Sequence, residues 1–313
     1  MNRIAFIQAR RSSSRLPDKV LLDIGGKVML QRVVERTRQA KRLDEVVVAT
    51  TLAPEDEAIV QLCRKLGVAF ARGNVFDVLD RFYQAALAFQ AEVIVRITAD
   101  CPLIDPNLID QVIEAFFEWG ELSAPSPPTP RPLGEGKKPS PLTPLPESHE
   151  GVPRWDFAAN RLPPPWKRTY PIGLDVEVCT FQALERAWRE ATEPYHREHV
   201  MPYLYEEERS VHVSTLQLPP LIPAVPPGFF RVLRVDHDPD YGFYRWTVDT
   251  AEDLQFVRQV YAHFDNQDNF SWLEVLDLVG RYPELAKINA AVSHKSVHEI
   301  DERMNTQNPK LKT

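Results

Sequence analysis

Four short β-branched runs punctuate the first hundred residues: Ile4–Ile7, Val46–Ala49, a weaker Val68–Phe70, and Val93–Ile97. Each is too short for a helix. Between them apolar positions recur at the 3.6-residue spacing of one helix face: Met29, Leu30, Val33, Val34 with Thr37; Ile59, Leu62, Cys63 and Leu66; Val78, Leu79, Phe82, Ala85 and Ala86. Strand and helix alternate, which predicts a parallel sheet covered on both faces. Ligands of such sheets bind at the carboxyl ends of the strands, so chemistry is expected in the loops after Ala9, Ala49 and Thr98.

Between Glu121 and Pro153 the periodicity vanishes and proline, serine, threonine and glycine take over. "PSPPTPRP" from Pro125 and "PSPLTPLP" from Pro139 repeat one pattern. A solvated, disordered insertion in a surface loop is predicted, with a proline-rich recognition segment as the alternative. Beyond it Leu174–Val178 alternates like a strand, while Phe181–Trp188 and Tyr195–Tyr205 have helical spacing. Tyr244–Val248 reads as a last strand ending at Asp249, and Thr250 with Asp253 predicts a capping box for the following helix. The chain thus divides into a first half (1–119), the insertion (120–153), a second half of the same domain (154–293) and a frayed tail (294–313).

Composition narrows the function. The formal net charge of −7 argues against broad nucleic-acid binding, so any anion site is local. Cys63, Cys101 and Cys179 form no C-x-x-C pair, which suggests neither a disulfide framework nor a thiolate zinc site. No run of about 18 apolar residues predicts a membrane span. A soluble cytoplasmic protein is expected.

Two features carry candidate chemistry. Ser12, Ser13 and Ser14, flanked by Arg10, Arg11, Arg15 and Lys19, follow the first strand and offer N–H groups, hydroxyls and positive charge of the kind a triphosphate needs. Spacing alone leaves a solvated basic turn equally open, and the Walker pattern is absent. Asp100 follows the fourth run and Asp249 the last, so a pair of carboxylates for Mg²⁺ can be assembled from the two. Either alone reads as a turn or cap aspartate.

"IQARRSSSRLPDKVL", "GNVFDVLDRFYQAA", "VRITADCPLIDP", "YPIGLDVEV", "REHVMPYLY" and "RWTVDTAEDL" together resemble the cytidylyltransferases that activate acidic sugars, the acylneuraminate and ketodeoxyoctulosonate enzymes, and within them the spore coat polysaccharide branch. The resemblance runs from Arg3 to about Val260 outside the insertion. It implies a Rossmann-like three-layer nucleotidyltransferase fold with a mixed, mostly parallel sheet. It also implies transfer of CMP from CTP to a small acidic sugar, Mg²⁺ as cofactor, and a homodimer.

Carried over, Arg10, Ser13, Ser14, Arg15 and Lys19 match the triphosphate loop, and Asp100 and Asp249 the metal carboxylates. Gln8, Ala9 and Arg72 complete the nucleotide-binding set. The chain departs from the family where glycine gives way to Ser12 and to Asp18, whose carboxylate is expected to weaken the field of Lys19 if it turns inward. Tyr170, Asp175, Glu177, Arg197, Glu198 and His199 are the candidates for the sugar pocket. Arg197 would hold the sugar carboxylate; His199 reads as a general base or, as a lone helix histidine more often is, as a surface or packing residue; Asp175 and Glu177 read equally as the polar face of a half-exposed strand. Two rivals are a glycosyltransferase using the D-x-D of Asp236 and Asp238, and a non-catalytic binding member of the same family.

Overall fold

The pleat of the first strand sorts its side chains to two cores. Ile4 and Phe6 enter one and Ala5 and Ile7 the other, and Val47 and Ala49 divide from Val46 and Val48 in the same way. A sheet buried on both faces therefore separates two helical layers. The structure, a computed structural model, describes residues 1–117, 152–163, 166, 168–219 and 224–293. The Pro-rich insertion and the C-terminal tail lie almost wholly outside these residues.

The strands are β1 (Arg3–Gln8), β2 (Asp23–Ile24), β3 (Lys27–Val28), β4 (Glu45–Thr51), β5 (Ala69–Gly73), β6 (Val93–Thr98), β7 (Phe157–Ala159), β8 (Glu177–Thr180), β9 (Ser210–Ser214) and β10 (Phe230–Arg234). β2 and β3 form a small hairpin, and the other eight make one sheet in the order β5-β4-β1-β6-β8-β7-β10-β9. β8 alone is antiparallel to its neighbours, β6 and β7. All remaining pairs of this sheet are parallel. The halves of the chain on either side of the insertion thus share one sheet, joined where β6 meets β8.

Helices α1 (Met29–Thr37), α2 (Glu57–Leu66), α3 (Val78–Ala88), α4 (Pro106–Phe117), α5 (Phe181–Glu190), α6 (Pro194–His199), α7 (Pro202–Tyr205), α8 (Ala251–His263), α9 (Trp272–Arg281) and α10 (Glu284–Lys287) complete the fold. The faces of α1, α2, α4, α8 and α9 line one core; α3, α5 and α7 line the other. Among the described residues no helix is long and apolar enough to cross a membrane.

The predicted capping box is present at Thr250 and Asp253. Three expected elements differ. The helix expected over Tyr195–Tyr205 is two short helices, broken at Val200, which has φ 72. The strand expected over Leu174–Val178 begins only at Glu177, because Asn160 occupies the preceding backbone: its Nδ2 donates to Leu174 O at 2.7 Å and its Oδ1 accepts from Val176 N at 2.9 Å. Tyr244–Val248 is no strand at all. Its backbone divides its bonds between two segments, Trp246 N to Ile172 O at 2.6 Å and Val248 N to Asp100 O at 2.8 Å, so no ladder forms. The crossing is close. Gly173 has φ 105, and a Cβ there would lie 2.4 Å from Thr247 N, so this position needs glycine.

Candidate active site

Seven strands of the main sheet run in one direction, so their carboxyl ends gather on one edge, and the reversed β8 brings its first residues to that same edge. Gln8, Thr98 and Ala159 end there and Glu177 begins there. The loop after β1 is held from within by Arg11. Its backbone N–H donates to Asp56 at 2.8 Å, its Nη1 to Glu55 O at 2.7 Å, and its Nε to Asp18 Oδ1 at 2.7 Å. Asp18 occupies a left-handed conformation, φ 58 and ψ 15, where the resembled family carries glycine. Its carboxylate faces Arg11 and solvent, not Lys19. The hydrogen bond from Arg11 holds its carboxyl below the usual range.

Lys19 opens the short 3₁₀ turn that follows, and its ammonium ties three segments together. Nζ donates to Asp100 Oδ2 at 2.7 Å, to Asp249 Oδ1 at 2.8 Å and to Val248 O at 2.9 Å. Two carboxylates nearly 150 positions apart therefore converge on one cationic atom. The same backbone contact that abolished the last strand brings them there, since Asp100 O accepts from Val248 N. Arg15 and Arg245 each reach the other oxygen of Asp249, at 2.7 Å. Burial alone would raise the carboxyl pKa of Asp100 and of Asp249; the charge and hydrogen bonds of Lys19 outweigh it and hold both below the usual value. Burial likewise opposes the charge on Lys19, and the two aspartates reverse that, raising its pKa.

The two oxygens that share Lys19 lie 2.7 and 2.8 Å from its Nζ. Among the described residues no group of three or more histidine, cysteine or acidic side chains forms a metal cage. Two carboxylates are nonetheless enough for Mg²⁺, which keeps waters and phosphate oxygens for its other positions. Arg10, two residues past the end of β1, lies 3.8 Å from Glu198 of α6. Ser13 and Ser14 lie in the loop between Arg10 and Arg15. Arg72 lies farther along the edge, bonded to Thr51 O at 2.8 Å and Glu57 at 2.9 Å.

The sugar-pocket candidates separate. Asp175 and Glu198 are partly exposed at the edge, and His199 follows Glu198 at the end of α6. Glu177 is buried against Arg96, which also binds Gln8 through Nη2 at 2.8 Å, so it fixes the strand ends in place. Tyr170 does not join the group. It is 2% exposed, packed against Trp272 and His237 in the core. Arg197 is fully buried. Its Nε and Nη2 bond the two oxygens of Asp77 at 3.0 and 2.7 Å, and Nη1 bonds Trp188 O at 2.9 Å, so the fork expected to hold a ligand carboxylate is closed inside the protein.

Sequence reasoning missed Arg245, which bonds Asp249 at 2.7 Å. Arg245 stands four residues before Asp249, a spacing that means contact only once the chain curls there. The D-x-D reading finds no metal pair: Asp236 Oδ2 accepts from Arg234 Nε at 2.7 Å and from Ser214, while Asp238 is exposed ahead of a cis peptide bond to Pro239.

Residues 4–220 match the protein family described as Cytidylyltransferase. The chain is 30% identical over 291 residues to spore coat polysaccharide biosynthesis protein SpsF of Bacillus subtilis, covering 91% of this chain and 98% of that protein. It is 42% identical over 120 residues to the 3-deoxy-manno-octulosonate cytidylyltransferase of Geobacter sulfurreducens, covering 38% of this chain and 46% of that enzyme. Its fold is similar to the structure of a cytidylyltransferase from Leptospira borgpetersenii, with a TM-score of 0.70, 26% identity, and coverage of 94% of this chain and all of that one.

Proposed function

The chain belongs to the cytidylyltransferase family, and from that premise we propose that it transfers CMP from CTP to a hydroxyl of an acidic sugar in surface polysaccharide synthesis, releasing pyrophosphate. The observation that carries this reading is Lys19 Nζ held between Asp100 and Asp249 at the foot of the Arg10–Arg15 loop. Fixed cations and paired carboxylates on one edge are what nucleotidyl transfer requires, because the protein's work is mainly positioning and charge neutralisation.

In this reaction the sugar oxygen forms a bond to the α-phosphorus, the bond from that phosphorus to the bridging oxygen breaks, and pyrophosphate leaves. The hydroxyl proton passes to solvent. Lys19 and Arg15 hold the triphosphate once its negative charge draws them from the aspartates, and Arg10 with the hydroxyls of Ser13 and Ser14 orients it. No covalent nucleophile is needed. Asp100 and Asp249 would hold Mg²⁺, which supplies charge neutralisation at the phosphate oxygens. Asp175 and Glu198 face the acceptor.

The test is pyrophosphate release by the purified protein with CTP, Mg²⁺ and a panel of octulosonic and nonulosonic acids, with other nucleotides and neutral sugars as controls. Release specific to CTP and an acid is expected, and Asp100→Ala should abolish it with the fold intact. Release from neutral sugars alone, or CTP binding without turnover across the panel, would refute the reading.

A further inference from the structure

Asp249 is oriented by what lies behind it. Its Oδ1 faces Lys19, while Oδ2 pairs with Arg15 and accepts from Arg245 Nη2, each at 2.7 Å. In the reading of the preceding section the triphosphate draws Lys19 and Arg15 away, which leaves Arg245 to hold the carboxylate through the reaction. Arg245 is itself fixed as a fork. Its Nε and Nη2 donate to Oδ1 and Oδ2 of Asp253 at 2.9 and 3.0 Å, and the second hydrogen of Nη2 is the one that reaches Asp249. Asp253 is fully buried, and its Oδ2 also accepts from the backbone N–H groups of Asp249 and Thr250, at 3.0 and 3.1 Å.

Arg245, Asp249 and Asp253 recur at four-residue spacing, so the local path of the chain brings them together. Asn289 does not belong to that run. It lies 36 positions beyond Asp253, just past α10, and is 4% exposed. Both hydrogens of its amide are used: Nδ2 donates to Arg245 O at 2.8 Å and to Asp253 Oδ1 at 2.9 Å. The amide therefore clamps Arg245 at both ends, by its backbone and by the carboxylate that holds its guanidinium. The backbone end matters because Tyr244–Val248 has no strand ladder to fix it. A second contact from the same segment runs toward the same oxygen. Arg15 Nη1 donates to Ser293 O at 3.4 Å while its Nη2 pairs with Asp249 Oδ2. Packing brings the segment here, since α10 buries Leu285 beside α8 and α9.

We propose that Asn289 is a positioning residue for nucleotidyl transfer: acting through Asp253 and Arg245, it holds Asp249 with Oδ2 turned back to Arg245 and Oδ1 turned to the side that Asp249 shares with Asp100. This rests on the reading of the preceding section that Asp100 and Asp249 hold the divalent ion. Without the amide, Asp253 Oδ1 loses a donor and the main chain of Arg245 loses its anchor, so the fork and the carboxylate it aims are both free to turn. Groups that orient a metal-binding side chain from behind typically change metal affinity or activity by about 10- to 100-fold. Asn289 stands two contacts behind Asp249, so the low end of that range applies.

The experiment compares Asn289→Ala and Asn289→Ser with the wild type, each alone and combined with Arg245→Lys. The assays are steady-state pyrophosphate release at saturating Mg²⁺ and titration of the enzyme–CTP complex with Mn²⁺ followed by electron paramagnetic resonance, with thermal melting to establish that each variant is folded. Asn289→Ala should lower kcat about 10-fold and raise Kd for Mn²⁺ by a similar factor, while KM for the acid changes less than about twofold. Asn289→Ser keeps one donor, should lose less, and serves if the alanine variant fails to fold. In the Arg245→Lys background, where the fork is already gone, Asn289→Ala should change kcat and Mn²⁺ affinity by less than about twofold. A full 10-fold loss in that background would overturn the proposal, because Asn289 would then act by another route. A folded variant with a lower melting temperature but wild-type kcat and Mn²⁺ affinity would overturn it too, while the cytidylyltransferase reading stands. If the wild type turns over no acid, the reading of the acceptor fails and the Mn²⁺ titration decides alone: a raised Kd in the Asn289 variants supports the positioning role, and an equal one overturns it. A wild-type complex that takes up no more Mn²⁺ than CTP by itself overturns both.

Discussion

Arg197→Met separates a structural arginine from a ligand-binding one. The guanidinium is fully buried and directs donors to both oxygens of Asp77 and to Trp188 O. Methionine fills much of the space but leaves the Asp77 carboxylate, itself 3% exposed, without its counter-charge. Breaking a buried pair from one side costs about 3–5 kcal/mol. Asp77 also caps α3, accepting from Asp80 N at 2.9 Å, and this bond survives the substitution, so the low end, about 3 kcal/mol, is expected. Denaturant unfolding followed by circular dichroism should show a lower midpoint at unchanged slope. Arg197→Met with Asp77→Asn removes the stranded charge and should recover part of the loss, a coupling measurable in a double-mutant cycle. Under conditions where the variant is folded, its KM for the acid should match the wild type. A wild-type unfolding midpoint together with a raised acid KM would refute the reasoning and return Arg197 to the substrate.

Other consequences follow from the same geometry. Gly173→Ala places a Cβ 2.4 Å from Thr247 N at a backbone angle of φ 105, and should destabilise the protein by about 2 kcal/mol or more in thermal unfolding; a stable, active variant would show that the crossing has room. Asp18→Gly should leave turnover within about twofold of wild type, because the carboxylate lies on Arg11; a large gain in pyrophosphate release would show that it weakens Lys19. Folded Asp100 and Asp249 titrate below their unfolded values of about 3.9, so their contribution to stability is present above that pH and is lost as pH falls through the folded values. Lys19, raised above about 10.4, contributes fully below that pH and loses its effect only as pH rises through its folded value. Lys19→Met should therefore shrink the acid decline of the melting temperature, because both carboxyls lose the charge that holds them below their unfolded values, and lower kcat about 10²- to 10³-fold; superimposable acid limbs would show that the three groups are uncoupled.

The alternating runs of the first hundred residues were readable because side-chain periodicity is a local property: a strand or helix announces which face it buries before its partner is known. The capping box at Thr250 was readable for the same reason, its two halves being three residues apart. The same locality misled at Tyr244–Val248, whose composition suits a strand but whose hydrogen bonds are drawn to Ile172 and Asp100. Residue types at strand ends marked Lys19, Asp100 and Asp249 as candidates. What remained open was which cation meets which carboxylate. Lys19 meets acids 81 and 230 positions away, and Arg197 one 120 positions away. A charge buried at the end of a strand takes whichever opposite charge the sheet order carries to it, and that order is set by packing across both faces. The sequence alone therefore determined the layers and the edge where ligands bind, whereas only the tertiary structure decided that Arg197 is enclosed and that Lys19 meets both aspartates.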